Sequence, residues 1–305
     1  MKQQSDKLQP QDDSLVDYSF SSLALQQVLL DNLLSLNYEK MTPIQAQSLP
    51  TMLNGVDVIG EAKTGSGKTA AFGLSLLNCL DMGEFAVQGL ILCPTRELAE
   101  QVSQALRQLA RLMPNVKVLN LSGGMPMKPQ LDSLRHGAHI IVGTPGRIQK
   151  HLDKETLSLK ALKVLVLDEA DRMLDMGFFD AIKKVILSCP KRRQTLLFSA
   201  TYPKEIKQLA NEFMANPKRV VVEDAHTDLD IVQQFYEVPH QTYKFALLKT
   251  LLLHHQPIST LIFCNTKDQT MQLCELLQLE GYSATSLNGG TVSYTHLTLP
   301  TIYSV

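Results

Sequence analysis

Seven short apolar runs recur along this chain, at residues 56–60, 89–93, 116–121, 139–142, 164–167, 195–198 and 219–222. Most are nearly continuous in Val, Ile and Leu, as in Val164-Leu165-Val166-Leu167. A strand that is apolar without alternation is one buried on both faces. Helix-length segments, such as residues 97–112, separate several of the runs. That alternation predicts βαβ units and a doubly wound parallel sheet, an α/β fold. Such sheets bind ligands beyond the carboxyl ends of their strands. The residues directly after each run are therefore the first to inspect for function.

The same rhythm divides the chain. Residues 1–17 are polar and are expected to form a flexible tail. Residues 18–222 make the first α/β lobe. Residues 223–230 are acidic and polar and are expected to be a linker. A second α/β pattern follows at 231–290, with strands expected at 231–238, 260–264 and 283–287 and helices at 243–254 and 267–279. It is too short to close a doubly wound domain, so an incomplete second lobe is expected. Residues 291–305 carry no Asp, Glu, Lys or Arg and show no helical period. They resemble translated adapter sequence and are expected not to be native.

Composition sets limits on the partners. Lys and Arg number 29 against 30 Asp and Glu, for a net charge of −1. A protein that bound nucleic acid only through a broad basic surface would be more positive, so any such contact must be local, and the net charge neither supports nor excludes an RNA partner. The five cysteines form no CxxC pair and read as small buried hydrophobes in a reducing compartment. The polar start lacks the apolar core of a signal peptide. No apolar run reaches the ~18 residues of a membrane span. A cytoplasmic protein without a membrane partner is expected.

Ala62-Lys63-Thr64-Gly65-Ser66-Gly67-Lys68-Thr69 lies between the run at 56–60 and an apolar helical pattern. Strand, Gly-rich loop and helix are the context of a phosphate-binding P-loop. Gly65 and Gly67 let backbone N–H groups wrap phosphate oxygens, and the helix N-terminus favours anions. Lys68 would reach the β/γ-phosphates and the Thr69 hydroxyl would ligate Mg²⁺. A chance Gly-rich turn is the plain alternative. It loses ground at residues 164–167, where Asp168-Glu169-Ala170-Asp171 follows a buried strand at once. Carboxylates there are costly without a partner. Mg²⁺ on Asp168 and a water activated by Glu169 supply partners. An acidic helix start is the alternative here.

Asp168-Glu169-Ala170-Asp171 also spells the signature of the DEAD-box RNA helicases, and the resemblance runs along almost all of residues 20–290. It implies two RecA-like lobes that bind ATP and Mg²⁺ and act on RNA. Tyr38 to Gln45, with Thr42, resembles the family's adenine-recognising Q motif, and Phe20 its upstream aromatic. An amide such as Gln45 can pair with a donor and an acceptor on adenine, and Tyr38 would pack on the ring. Asn37 stands where the family commonly has Gly, and Asn also tolerates left-handed backbone. Pro94-Thr95-Arg96, Gly123-Gly124 and Thr144-Pro145-Gly146-Arg147 resemble the first lobe's RNA motifs. Arg96 and Arg147 would contact phosphates, so binding should be largely sequence-independent. Ser199-Ala200-Thr201 resembles the motif that couples hydrolysis to strand separation, with Ser199 and Thr201 hydrogen-bonding to residues 168–171. Asn265-Thr266 resembles an RNA-facing turn of the second lobe, and Leu287-Asn288-Gly289-Gly290 the start of its next motif.

Residues 62–72 and 168–178 look most like the bacterial DbpA subfamily, which implies large-subunit ribosomal RNA as the target. The family's arginine fingers would lie beyond this chain, so weak ATP turnover and a monomer are expected. Two rivals remain: a DNA translocase of the same superfamily, and a non-catalytic nucleotide- or RNA-binding module. The adenine motif and residues 144–147 argue for RNA. Lys68 and Glu169 argue for an enzyme.

Overall fold

The computed structural model describes residues 18–222 and 234–288. Backbone contacts divide the chain into two compact units, Met1–Thr227 and Asp228–Val305. The expected tail 1–17, linker 223–230, strand start 231–233, Gly289, Gly290 and residues 291–305 lie outside the described residues.

Each of the seven apolar runs forms a strand: β1 Val58–Glu61, β2 Gly89–Leu92, β3 Val118–Leu121, β4 Ile140–Gly143, β5 Val164–Leu167, β6 Gln194–Ser199 and β7 Lys218–Val221. They make one sheet in the order β3-β4-β2-β5-β6-β1-β7. Every pairing is parallel. Among the described residues, nine helices of the first unit cover it: α1 Gln27–Ser35, α2 Pro43–Leu53, α3 Lys68–Asn78, α4 Arg96–Leu109, α5 Met127–Arg135, α6 Pro145–Asp153, α7 Ala170–Asp175, α8 Phe179–Leu187 and α9 Lys204–Phe213.

The strands serve two cores because successive side chains point to opposite faces. Val164 and Val166 of β5 join a core with Leu33 of α1, Ile44 of α2, Phe72 of α3 and Leu106 of α4. Leu165 and Leu167 face the other core, with Ile148 of α6, Met173 of α7, Val185 of α8 and Leu209 of α9. The edge strand β7 exposes Lys218 and Arg219, charges that discourage edge-to-edge pairing.

Local chemistry sets the element ends. Thr95 starts α4 by accepting the Leu98 N–H at 3.2 Å, and Ala99, Val102, Ser103 and Leu106 bury one helical face. Asp57, buried before β1, accepts the Thr195 N–H at 2.7 Å on one oxygen and the Ala215 N–H at 2.8 Å on the other. It ties β1 to β6 and to the turn before β7.

In the second unit, α10 Tyr243–His255 and α11 Lys267–Leu279 form where helices are expected. Thr266 caps α11 by accepting the Gln269 N–H at 3.2 Å, and Lys249 pairs with Glu280 at 2.7 Å. The strands expected at 260–264 and 283–287, and the described part of 231–238, are not formed. A parallel strand needs a neighbour for its N–H and C=O groups and a layer over each face. Leu261 and Phe263 find neither and are 79% and 87% exposed.

Gly60 of β1 pairs in register with Phe198 of β6, whose ring lies 5.5 Å from that of Phe72. A Cβ on Gly60 would sit 2.6 Å from two atoms of the Phe198 ring. Gly60→Ala is therefore expected to cost about 1–3 kcal/mol in urea unfolding, as overpacking does. In a Phe198→Leu background the same substitution should cost less. Equal costs in both backgrounds would show that the ring is not the obstacle.

Candidate functional site

Because every strand runs the same way, the motif loops leave the sheet at one edge. Three of them, after β3, β4 and β2, occupy one side. Those after β6 and β1 occupy the other, and residues 168–171 follow the central β5.

The P-loop closes around its own lysine. Gly65 and Gly67 have φ of 86° and 95°, and Gly67 precedes α3 in a left-handed conformation. Lys68 is buried and donates from Nζ to the Ala62 carbonyl at 2.9 Å. The Ser66 hydroxyl is buried without a hydrogen-bond partner. Gln45 of α2 supports the loop from behind. Its Nε2 donates to the Gly67 carbonyl at 3.0 Å, and its Oε1 accepts the Thr42 N–H at 2.9 Å. One donor and one acceptor site remain on the amide. A Cβ on Gly67 would lie 2.6 Å from Gln45 Nε2 and 2.8 Å from Thr42 Oγ1, so this glycine is required by packing as well as by φ. Phe20 is buried and meets the half-exposed Tyr38 edge-on at 6.3 Å between ring centres. Phe20 thus positions Tyr38, the ring with an open face. Asn37, just before it, is left-handed at φ 58°.

Beyond β5, Glu169 takes φ 51°, an unusual conformation for a residue with a side chain, and starts α7. Its carboxylate is nearly buried. One oxygen accepts the Thr64 hydroxyl at 3.1 Å and the other pairs with Arg172 at 2.7 Å. Asp171 accepts the Thr201 N–H at 3.0 Å and the Thr201 hydroxyl at 2.9 Å, and its own N–H reaches Ser199 Oγ at 3.3 Å. Burial works to raise the Asp171 carboxyl, but the hydroxyls of Thr201 and Ser199, with the backbone N–H groups of Arg172 and Thr201, together outweigh it and hold it below the ordinary value. Ser199 and Thr201 thus join β6 to the carboxylate segment.

Asp168 differs from every other carboxylate nearby. It is 3% exposed, and its Oδ1 is buried with no hydrogen-bond partner. Burial pushes its carboxyl up from 3.8 to about 6, against the pull of the Lys68 ammonium and with the push of Glu169 and Asp171. Asp57 shows what a structural buried carboxylate looks like here, with both oxygens filled by N–H groups. An orphaned carboxylate oxygen in a phosphate site fits a hard cation such as Mg²⁺. No cluster of three His, Cys, Asp or Glu ligands occurs among the described residues. Asp168 and the Thr69 hydroxyl would hold such an ion together with phosphate oxygens and waters.

On the other side, Arg96 and Arg147 close on the loop after β3. The Arg96 guanidinium lies over Gly124, where a Cβ would be 2.0 Å from Nη1. Gly124 has φ 80°. Arg147 Nη2 donates to the Met125 carbonyl. Thr144 and Pro145 begin α6, which carries Gly146 and Arg147 in its first turn, and Pro94 and Thr95 precede α4. The structure therefore brings the three RNA-like motifs of the first unit together. Thr266 and Asn265 belong to the second unit, where Thr266 serves as a helix cap.

Sequence reasoning did not single out Arg172, although its place three residues after Glu169 on a helix is a readable signal. It also missed Glu61 and Arg219, which pair across β1 and β7 while Arg219 stacks 4.8 Å from the Tyr202 ring. No local pattern marks that long-range contact.

The Asp168 carboxylate carries a stability cost with a definite sign. Its folded pKa is raised, so the fold loses stability as pH climbs from about 3.8 to about 6, and the loss is complete above that. The scale is roughly 3 kcal/mol. Asp168→Asn should raise the melting temperature at pH 7.5 by about 6–12 °C, and the gain should vanish near pH 4. An unchanged or lower melting temperature at pH 7.5 would mean the carboxylate is already compensated.

Comparison with known proteins agrees with this geometry. The family model DEAD/DEAH box helicase matches residues 42–209. The chain is 52% identical over 272 residues to the ATP-dependent RNA helicase DbpA of Escherichia coli, covering 89% of this chain and 59% of that one. It is 42% identical to the DEAD-box ATP-dependent RNA helicase CshA of Bacillus cereus, covering 89% and 51%. The chain thus spans between half and three fifths of these relatives' lengths. A crystal structure of a DEAD box protein from Methanococcus jannaschii superposes with a TM-score of 0.65 at 36% identity, covering 90% of this chain and 74% of that one. With its signature carboxylates directly after β5 and its P-loop directly after β1, the chain belongs to the DEAD/DEAH box helicase family, as a DEAD-box member with a RecA-like α/β lobe.

Proposed function

We propose that this chain is the ATP-binding part of an ATP-dependent RNA helicase, in which RNA-stimulated ATP hydrolysis drives local separation of a duplex. One observation carries the reading: the carboxylate segment 168–171 stands between a P-loop and a pair of arginines on a glycine loop, at one edge of one sheet. Nucleotide chemistry and strand binding thus share a rigid frame.

Lys68 would exchange the Ala62 carbonyl for phosphate oxygens, and backbone N–H groups of residues 64–69 would complete the cradle. Tyr38 and the free valences of the Gln45 amide would take adenine. Mg²⁺ held by Asp168 and Thr69 would neutralise phosphate charge. Glu169 would orient a water toward the γ-phosphorus and accept its proton while the bond to the bridging oxygen breaks. Arg172 and Thr64 hold that carboxylate in place. Ser199 and Thr201, bonded to Asp171, would transmit the change to β6.

Arg96 and Arg147 would hold phosphates of a single strand, with no base read. The resemblance of residues 62–72 and 168–178 to the DbpA subfamily is what leads us to ribosomal RNA of the large subunit as the target. The buried thiols Cys93 and Cys189, both with pKa raised by burial, suit a reducing cytoplasm. A monomer remains our reading of the oligomeric state.

Two measurements test this. Lys68→Ala should weaken binding of Mg²⁺ with an ATP analogue by about 10–100-fold, the worth of a charge-assisted hydrogen bond. Gln45→Ala should erase preference for ATP over GTP. Binding indifferent to Lys68 and to the base would remove the ATP reading. For single-stranded RNA, Arg96→Ala and Arg147→Ala should each flatten the plot of log K against log salt by about 0.7, one phosphate contact apiece. Slopes equal to the parent's, or tighter binding to DNA than to RNA, would remove the RNA reading.

A further inference from the structure

His151 is a fully buried titratable group that the ATP chemistry does not use. It sits on α6, beyond Arg147 on the same helix. Its Nε2 lies 3.1 Å from Gln130 Oε1 on α5, and Gln130 Nε2 donates to the Ser122 carbonyl at 3.1 Å. An amide that donates through its nitrogen presents only an acceptor oxygen to the imidazole. The His151 proton is thereby assigned to Nε2. With the proton on Nε2, the bare Nδ1 accepts the Thr156 hydroxyl at 2.9 Å, and that hydroxyl oxygen also lies 3.0 Å from the His151 carbonyl. Burial, with the charges of Arg147 and Lys154, lowers the His151 pKa, so the ring is a neutral single donor at physiological pH.

Ser122 directly follows β3 and directly precedes Gly123 and Gly124. Helix α6 therefore holds the glycine loop at two points. Arg147 takes the Met125 carbonyl at its far end, and His151, through Gln130, fixes the Ser122 carbonyl at its near end. A buried polar pair is a costly way to fill space that apolar side chains fill as well. What the polar pair adds is a direction for one loop carbonyl. At the far point the Met125 side chain itself is 62% exposed.

We infer that Gln130 and His151 are positioning residues for strand binding, which set the phosphate-facing turn 122–125 against helix α6. The inference rests on the RNA reading given above. A turn already held in one conformation loses less entropy when a strand docks on its N–H groups and on the arginines folded over it. Helix α6 then carries one RNA motif in its first turn and orders a second through its side chains.

The test uses the full chain, a fluorescent oligo-uridine strand with a non-hydrolysable ATP analogue, nucleotide affinity measured separately, and hydrogen exchange of the amides at 121–127. Gln130→Glu keeps the volume and the acceptor for His151 but turns a carboxylate oxygen toward the Ser122 carbonyl. His151→Leu removes the donor. Both should weaken RNA binding about tenfold, the scale of one hydrogen bond, and speed exchange at the turn. Analogue affinity should stay at the parent's value. His151→Gln, whose amide can donate where Nε2 does, should bind RNA within about threefold of the parent. Parent-like RNA affinity in Gln130→Glu and His151→Leu overturns the inference. So does a folded His151→Gln that binds RNA as weakly as His151→Leu, or a loss of nucleotide affinity in step with RNA in folded variants. If the parent binds the analogue but no RNA, the RNA reading itself fails and this role falls with it.

Discussion

Parallel pairing is the constraint from which the rest follows. Strands that all run one way need a crossover between each pair, and crossovers put helices on both faces. Both faces must then be apolar, which is why the runs in the sequence show no alternation. The same constraint sends each chain segment out of the sheet at the carboxyl edge. Loops separated by more than 100 residues, such as Thr64 and Glu169, end up 3.1 Å apart. No binding energy is needed to gather them, because the hydrophobic effect on the two cores has already done so.

Against that background, the treatment of buried carboxylates separates structure from chemistry. Asp57 fills both oxygens with backbone N–H groups and is a tie between strands. Asp171 is filled by Thr201 and Arg172 and links two elements. Glu169 is held by Thr64 and Arg172, on a left-handed backbone. Asp168 alone among the four leaves an oxygen bare in the interior. A protein that can satisfy the other three has not done so by accident. Stability withheld there matches the general trade between an unstrained fold and a working site.

The legible part of this molecule was what local pattern encodes. Strand β5, the helix α4 and the glycine turns around Gly65 and Gly67 each depend on residues within one or two turns of themselves. The two helices of the second unit were legible for the same reason. The strands expected at 260–264 and 283–287 were not, because a run such as Leu261-Ile262-Phe263 becomes a strand only when another strand lies beside it. The roles of Gln45 and His151 were hidden for a related reason. Gln45 acts on the distant Gly67 carbonyl directly, and His151 acts on the Ser122 carbonyl only through the amide of Gln130. A glutamine's residue type does not say which carbonyl it will find.

The contact between Arg96 and Gly124 also bears on how such a chain can change over generations. A side chain at position 124 would occupy the volume that the Arg96 guanidinium fills. Position 124 is thus a mould for a residue on another element. A lineage that lost this glycine would first have to re-aim its arginine or shorten it. Because position 124 is also left-handed, at φ 80°, it stays glycine whatever the arginine does, and the room for the guanidinium is inherited with the turn.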